Sequence, residues 1–195
     1  MRWTFFFVLL VLVVLLLGGQ SDNALSAPRN ILVNEPTGGQ HLPSIALGPS
    51  SQIYIVWVDF RNDPTCESDT DIYFARSIDG GQNFDAEILV SDDGASFANS
   101  SRISTDSSGN IYVVWHDNRT ADSWDVYLSK SEDEGSSFSP SVRVNDYVSG
   151  VYQYEPDLAI DSSGDIYVSW NRYYSYVEGD LVQWDYDVYM AKSTD

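Results

Sequence analysis

The sequence predicts an all-β fold: three four-stranded antiparallel blades of a partial β-propeller, from a ring of about six or seven. Three observations carry this. Ile-Tyr-x-x-Trp recurs at Ile53–Trp57, Ile111–Trp115 and Ile166–Trp170, with the tryptophans 58 and 55 residues apart. Asp-Ile/Val-Tyr follows each time, at Asp71–Tyr73, Asp125–Tyr127 and Asp187–Tyr189, and then Ser-x-Asp at Ser77–Asp79, Ser131–Asp133 and Ser193–Asp195. No window after the first residues sustains a 3.6-residue apolar period. Short strands at a long fixed period mark units that bury their faces only by stacking on one another.

The elements follow in order. In the first unit Leu42–Leu47 is strand one, Gly48–Ser51 a turn, and Gln52–Val58 strand two, rich in the Ile, Val, Tyr and Trp that suit a pleated surface. An acidic loop, Asp59–Thr70, leads to strand three at Asp71–Ser77. A tight turn through Asp79, Gly80 and Gly81 then leads to strand four at Phe84–Val90. The second unit repeats this with turns at Asp106–Asn110 and Asp133–Gly135. In the third, Asp161–Asp165 reads as the hairpin turn between strands one and two. It lacks the twelve-residue span of a calcium loop. Asn171–Tyr186 reads as a long loop crowded with aromatic residues. The blades are thus placed at 41–91, 99–146 and 154–195. Asn30–Asn34 resembles the fourth strands and is expected to close the ring as an outer strand. Asp195 falls inside the third Ser-x-Asp turn, so a longer propeller is expected.

Residues 1–21 read as a signal peptide: Arg2, then an apolar run from Phe5 to Leu17, then the small residues Gly18, Gly19 and Ser21. The run is shorter than the roughly 20 residues that span a bilayer. Cleaved or kept as an anchor, it directs the chain out of the cytoplasm, to a secreted or cell-surface location, and 22–29 is a linker. The formal charge of −19 excludes nucleic acid and anionic membranes as partners, apart from the leader itself. Cys66 is the single cysteine, so no internal disulfide forms, and its acidic neighbours Asp63, Glu67 and Asp69 argue against a reactive thiol.

The turns Ser77-Ile78-Asp79-Gly80-Gly81-Gln82-Asn83-Phe84 and Ser131-Glu132-Asp133-Glu134-Gly135-Ser136-Ser137-Phe138 match the Asp box, Ser-x-Asp-x-Gly-x-x-Phe/Trp. In this the chain, from about Ile31 onward, resembles the sialidase superfamily of bacterial-neuraminidase-repeat propellers. The box itself is structural: Asp79 and Asp133 accept backbone N–H groups, Gly81 and Gly135 permit positive φ, and Phe84 and Phe138 bury the return strand. The resemblance places Asp boxes on the face opposite the active site. Function is therefore expected among the strand-two loops and the inter-blade connections.

Trp57-Val58-Asp59-Phe60-Arg61 and Trp115-His116-Asp117-Asn118-Arg119 resemble the first-blade loop of sialidases, which implies Asp63 or Asp122 as the acid/base. The competing reading is that Arg61 and Arg119 brace their loops through Asp59 and Asp117. Sialidases hold the substrate carboxylate with three arginines, the first opening strand one as Arg-Ile-Pro. Here His41-Leu42-Pro43 stands at that place, with Asn99 and Tyr154 in the next two units and Arg102 three positions late. His41, Arg61, Arg102, Arg119, Arg172, Tyr173 and Tyr174 are the candidate ligand-binding residues. No cofactor or metal is called for, although Asp59, Asp63, Asp69 and Asp71 form an acidic set that a Ca²⁺ ion would suit. The expected function is recognition of a glycan or a cell-surface protein. A sialidase-type hydrolase with catalytic residues beyond Asp195, or a purely structural propeller, is the alternative.

Overall fold

A computed structural model describes residues 30–35, 38–63, 69–91, 97–120, 122–179 and 181–193. Met1–Asn30 and Ile31–Asp195 are separate units, and the second is the one described. The expected signal peptide and linker, Cys66, and the last two residues of the third Ser-x-Asp lie outside the described residues.

Eleven strands form three antiparallel sheets. The first sheet is β1 (Gln40–Leu47), β2 (Ile53–Asp59), β3 (Asp71–Ser77) and β4 (Ile88–Leu89). The second is β5 (Asn99–Thr105), β6 (Ile111–Asp117), β7 (Asp125–Ser131) and β8 (Val142–Arg143). The third has three strands, β9 (Tyr152–Ile160), β10 (Ile166–Glu178) and β11 (Leu181–Ser193). Each sheet runs in simple sequence order, so these are three propeller blades.

Burial shows how they stack. Every residue of β6 is buried, because blade 2 has a neighbour on both sides. In β2 Tyr54, Val56 and Val58 are buried while Ile53 and Ile55 are half-exposed, and in β10 Ile166, Val168 and Trp170 alternate with Tyr167 and Ser169. One apolar cluster joins Val56, Val58, Ile72 and Phe74 of blade 1 to Ile111, Val113 and Trp115 of blade 2. A second joins Tyr112, Val114 and Val126 to Ile166, Val168 and Trp170. Each fully buried Val or Ile contributes about 1.5–3 kcal/mol, so the cores between blades, with no disulfide, hold the fold.

The two Ser-x-Asp turns are closed by their own side chains. Ser77 Oγ donates to Asp79 Oδ1 (2.8 Å), which also accepts the N–H groups of Gln82 and Asn83 (2.9 and 3.0 Å). Asp133 accepts Ser131 Oγ and the Ser137 N–H and hydroxyl in the same way. Hydrogen bonds from Asn83 and Ser77 hold the Asp79 carboxyl at about 2, and those from Ser137 and Ser131 do so for Asp133. Gly81 and Gly135 both sit at φ +83°. Gly135 has a second duty: a Cβ there would lie 2.5 Å from the Phe74 ring of blade 1. Phe138 meets the same ring edge-on at 5.1 Å, so the second box also wedges blade 2 against blade 1.

Two expectations change. The fourth strands pair over two residues each, not seven, because Asp85 and Ser139 bond back to the third strands only singly before the ladder starts. After the segment expected to close the ring, the Glu35 N–H donates to the Glu87 carboxylate of blade 1. Finally, Asn171–Tyr186 is not a loop. β10 and β11 pair without a break from Ile166↔Ser193 to Glu178↔Leu181, and Gly179 at φ +63° opens the two-residue connection. Asp161–Asp165 is the expected hairpin turn, with the Asp161 N–H on the Asp165 carbonyl (3.0 Å). Among the described residues no helix is long and apolar enough to cross a membrane.

Candidate functional site on the loop face

Strand register fixes two ends for each blade. Leu47↔Ile53↔Ser77 lies at the Asp-box end, and Gln40↔Asp59↔Asp71 at the opposite, loop end. At the loop end all three first strands bulge in the same place. Register slips between His41 and Ser44, between Asn99 and Arg102, and opposite Trp170. The second residue of each bulge, Leu42, Ser100 and Glu155, takes a left-handed φ of +50°, +52° and +51°. A non-glycine residue there costs on the order of 1 kcal/mol or more, and such strain gathers at functional sites.

Local contacts hold the bulges. The Ser100 N–H donates to Asn99 Oδ1 (2.7 Å), and the Glu155 N–H donates to Nδ1 of His116 on the neighbouring blade (3.2 Å). His116 is 5 % exposed, and burial drives its imidazole down to about 4, so it is a neutral acceptor. Around these bulges Leu42, Asn99, Ser100, His116, Tyr154, Glu155, Asn171 and Tyr186 line an open depression of about 460 Å³. Asn171 Nδ2 donates to Glu155 Oε2 (3.1 Å) at its rim.

A chain of aromatic rings crosses the three blades along this end. His41 meets Phe60 (5.0 Å), Phe60 meets Phe97 (6.4 Å), and Phe97 meets Trp124 (5.8 Å). Trp124 and His116 both touch Tyr154, and Tyr154 reaches Tyr173. Tyr173 stacks on Trp184 (4.9 Å, 5° between planes) and touches Tyr186 (4.6 Å). The row ends in the open: Trp184 is 54 % and Tyr186 69 % exposed. Burial among neighbouring tyrosines raises the Tyr154 phenol, which suits hydrogen bonding and not nucleophilic attack.

The arginines chosen from sequence have other work. Both oxygens of Asp59 are taken, by Trp57 Nε1 (2.9 Å) and by the Arg61 fork (2.9 and 2.6 Å), and the Arg61 guanidinium lies 3.9 Å over Tyr73. Burial alone would raise the Asp59 carboxyl, but hydrogen bonds from Arg61 and Trp57 outweigh it and hold it low. Trp115, Asp117, Arg119 and Tyr127 repeat this brace, with Arg119 3.8 Å over Tyr127. Arg61 also pairs with Glu87, and Arg119 with Ser141 Oγ (2.9 Å). Arg102 stands in mid-strand opposite Val114 with its guanidinium on the Ser101 carbonyl, away from the loop end. Arg172 lies over Tyr189 and donates to its hydroxyl (3.1 Å), lining a separate cavity of about 230 Å³ with Gln153 and Trp170.

Asp63 is buried and accepts the Asp69 N–H (3.3 Å) within its own loop. Asp122 is exposed and accepts Ser149 Oγ (2.6 Å) and the Tyr147 hydroxyl (2.9 Å), bonds that hold its carboxyl low. That geometry favours the ionised form over a proton donor at neutral pH. Asp71 accepts Ser91 Oγ and Asn62, so with Asp59 also engaged the four aspartates do not converge. Among the described residues no three His, Cys, Asp or Glu side chains form a metal cage. Of the sequence candidates, His41 and Tyr173 join the aromatic row, and Tyr174 packs on Tyr176 (6.3 Å). Nothing in the local spacing of Glu155 and Trp124 marks them in the sequence.

No protein-family model and no curated protein matches the sequence. Solved structures do. A Hadza microbial sialidase, Hz136, aligns with a TM-score of 0.61 at 13 % identity, over 80 % of this chain and 35 % of that one. The α-L-arabinofuranosidase Arb93A of Fusarium graminearum gives 0.60 at 15 %, over 80 % and 46 %. The polysaccharide lyase Uly1 gives 0.56 at 9 %, over 80 % and 41 %. The chain spans less than half the length of each. At these identities the likeness is one of fold alone: the blades are those of a β-propeller.

Proposed function

We propose that this chain is an exported, sialidase-like propeller module that recognises a glycan through its loop face. The observation that supports this most is the convergence of three strained first-strand bulges on one depression flanked by stacked, half-open aromatic rings. Aromatic faces offer an apolar platform for the C–H face of a sugar ring. Asn99, Asn171 and Glu155 offer amide and carboxylate partners for hydroxyl groups, the mix of apolar wall and few polar groups that ligand sites share. Three structures it resembles, a sialidase, an α-L-arabinofuranosidase and a polysaccharide lyase, are by name enzymes that act on saccharides, which agrees with this reading.

Binding to an immobilised glycan panel, measured for the full chain and for Tyr186→Ala and Trp184→Ala, tests it. Loss of an exposed aromatic anchor is expected to weaken binding about tenfold or more while the fold persists. Unchanged binding in both variants would place recognition elsewhere. A parallel assay for released sugar checks the hydrolytic alternative, for which Asp122→Asn is the informative variant.

A further inference from the structure

We infer that the part of the loop face built by this chain takes an uncharged saccharide, one bearing neither carboxylate nor sulfate. This rests on the reading of that face as a saccharide site and narrows its ligand class. The placement of the cations decides it. An anionic group on a ligand gains most from a guanidinium or ammonium within reach, and beside a carboxylate without one it is repelled.

From Asn30 onward every lysine and arginine lies in the described residues, and none is among the residues that line the depression. Arg61 and Arg119 are locked in the Asp59 and Asp117 braces. Arg76, Lys130 and Lys192 pair with Asp85, Glu132 and Asp165 toward the Asp-box end. Arg143 lies over Tyr147, 4.0 Å from Asp125. Arg102 and Arg172 bond to the Ser101 carbonyl and the Tyr189 hydroxyl, and the buried Arg172 Nε, which has no hydrogen-bond partner among the described residues, belongs to the separate cavity beside Gln153 and Trp170. None of these lines the depression.

What does line it is neutral or negative. His116 stays uncharged down to about pH 4 and gives its Nδ1 to a backbone N–H. Asn99, Ser100, Asn171, Tyr154 and Tyr186 are neutral dipoles, and Glu155 is a carboxylate at the rim. Glu155 accepts hydrogen bonds from hydroxyl groups but repels a ligand carboxylate, and the chain's −19 formal charge adds to that repulsion. A sugar whose hydroxyls donate and whose ring face stacks fits these groups; an acidic sugar does not.

Titration of the full chain with matched pairs, followed by ligand-observed NMR and tryptophan fluorescence at near-physiological salt, tests this. The pairs are lactose against 3′-sialyllactose, and a neutral against a uronic-acid disaccharide, with arabinobiose and mannotriose as further neutral probes. A neutral saccharide is expected to bind, its acidic partner about tenfold more weakly, the penalty of placing like charges together. Glu155→Gln should narrow the gap from the acidic side. Equal or tighter binding of the acidic partner would overturn the inference while leaving the glycan reading intact. Binding of neither class would overturn both, and neutral binding that Tyr186→Ala does not weaken would put the ligand outside this depression.

Discussion

Blades 1 and 2 end their second strands on Asp59 and Asp117, whereas blade 3 has Arg172 at the matching place. The stacked Trp–Tyr pair is common to all three, at 6.4, 6.3 and 6.3 Å. Only in the first two does a buried carboxylate tie the tryptophan N–H to an arginine fork and stop the ladder. In blade 3 the Trp170 N–H turns instead to Gln153 Oε1 (2.7 Å), and β10 and β11 continue as a two-stranded arm. The same corner thus serves as a brace in two blades and as the root of an aromatic arm in the third. The difference teaches where to expect recognition: at the blade that gave up its brace.

Removing the brace should have the largest effect. Asp117→Ala leaves the Trp115 N–H and a mostly buried Arg119 without their acceptor, at a cost of about 3 kcal/mol, read from urea unfolding. In blade 3, Gln153→Ala removes a neutral bond to Trp170 and is expected to cost about 1–2 kcal/mol. Equal losses would mean that the carboxylate brace holds no special place. A third effect, absent at neutral pH, concerns acid. His116 falls to about 4 when folded against 6.5 ordinarily, so between those values the unfolded chain takes up a proton that the folded one refuses. Stability contributed by the neutral imidazole is whole above pH 6.5 and declines as the pH falls toward 4. His116→Asn, which copies Asn171 of blade 3, should flatten that limb while lowering stability near pH 7.5 by about 1–2 kcal/mol, for the lost ring packing and Glu155 N–H bond; a limb of the same slope would exclude His116 as its source.

The blades were legible because their repeat is written in residue types that the geometry demands: Trp and Tyr in the stacked strands, Ser, Asp and Gly in the box. The competing reading of Arg61 and Arg119 as braces was legible for the same reason, since the pattern occurs twice. The bulges were not. Leu42, Ser100 and Glu155 share no side-chain character, and their left-handed backbone is imposed by partners such as the His116 ring across a blade interface. The arm reads as a loop from sequence although Tyr, Val and Trp alternate through it. Its length obscured the Gly179 turn, which joins Glu178 to Leu181 with only two residues between. Arg102 looked functional by type alone, and register alone removes it from the loop end.

The most direct test of the central claim is hydrogen–deuterium exchange of the full chain with and without a saturating neutral oligosaccharide. Protection is predicted in 99–101, 154–156 and 171–186, with Ser77–Phe84 and Ser131–Phe138 unchanged. Protection confined to the Asp-box turns, or spread evenly over both ends of the blades, would contradict a loop-face site.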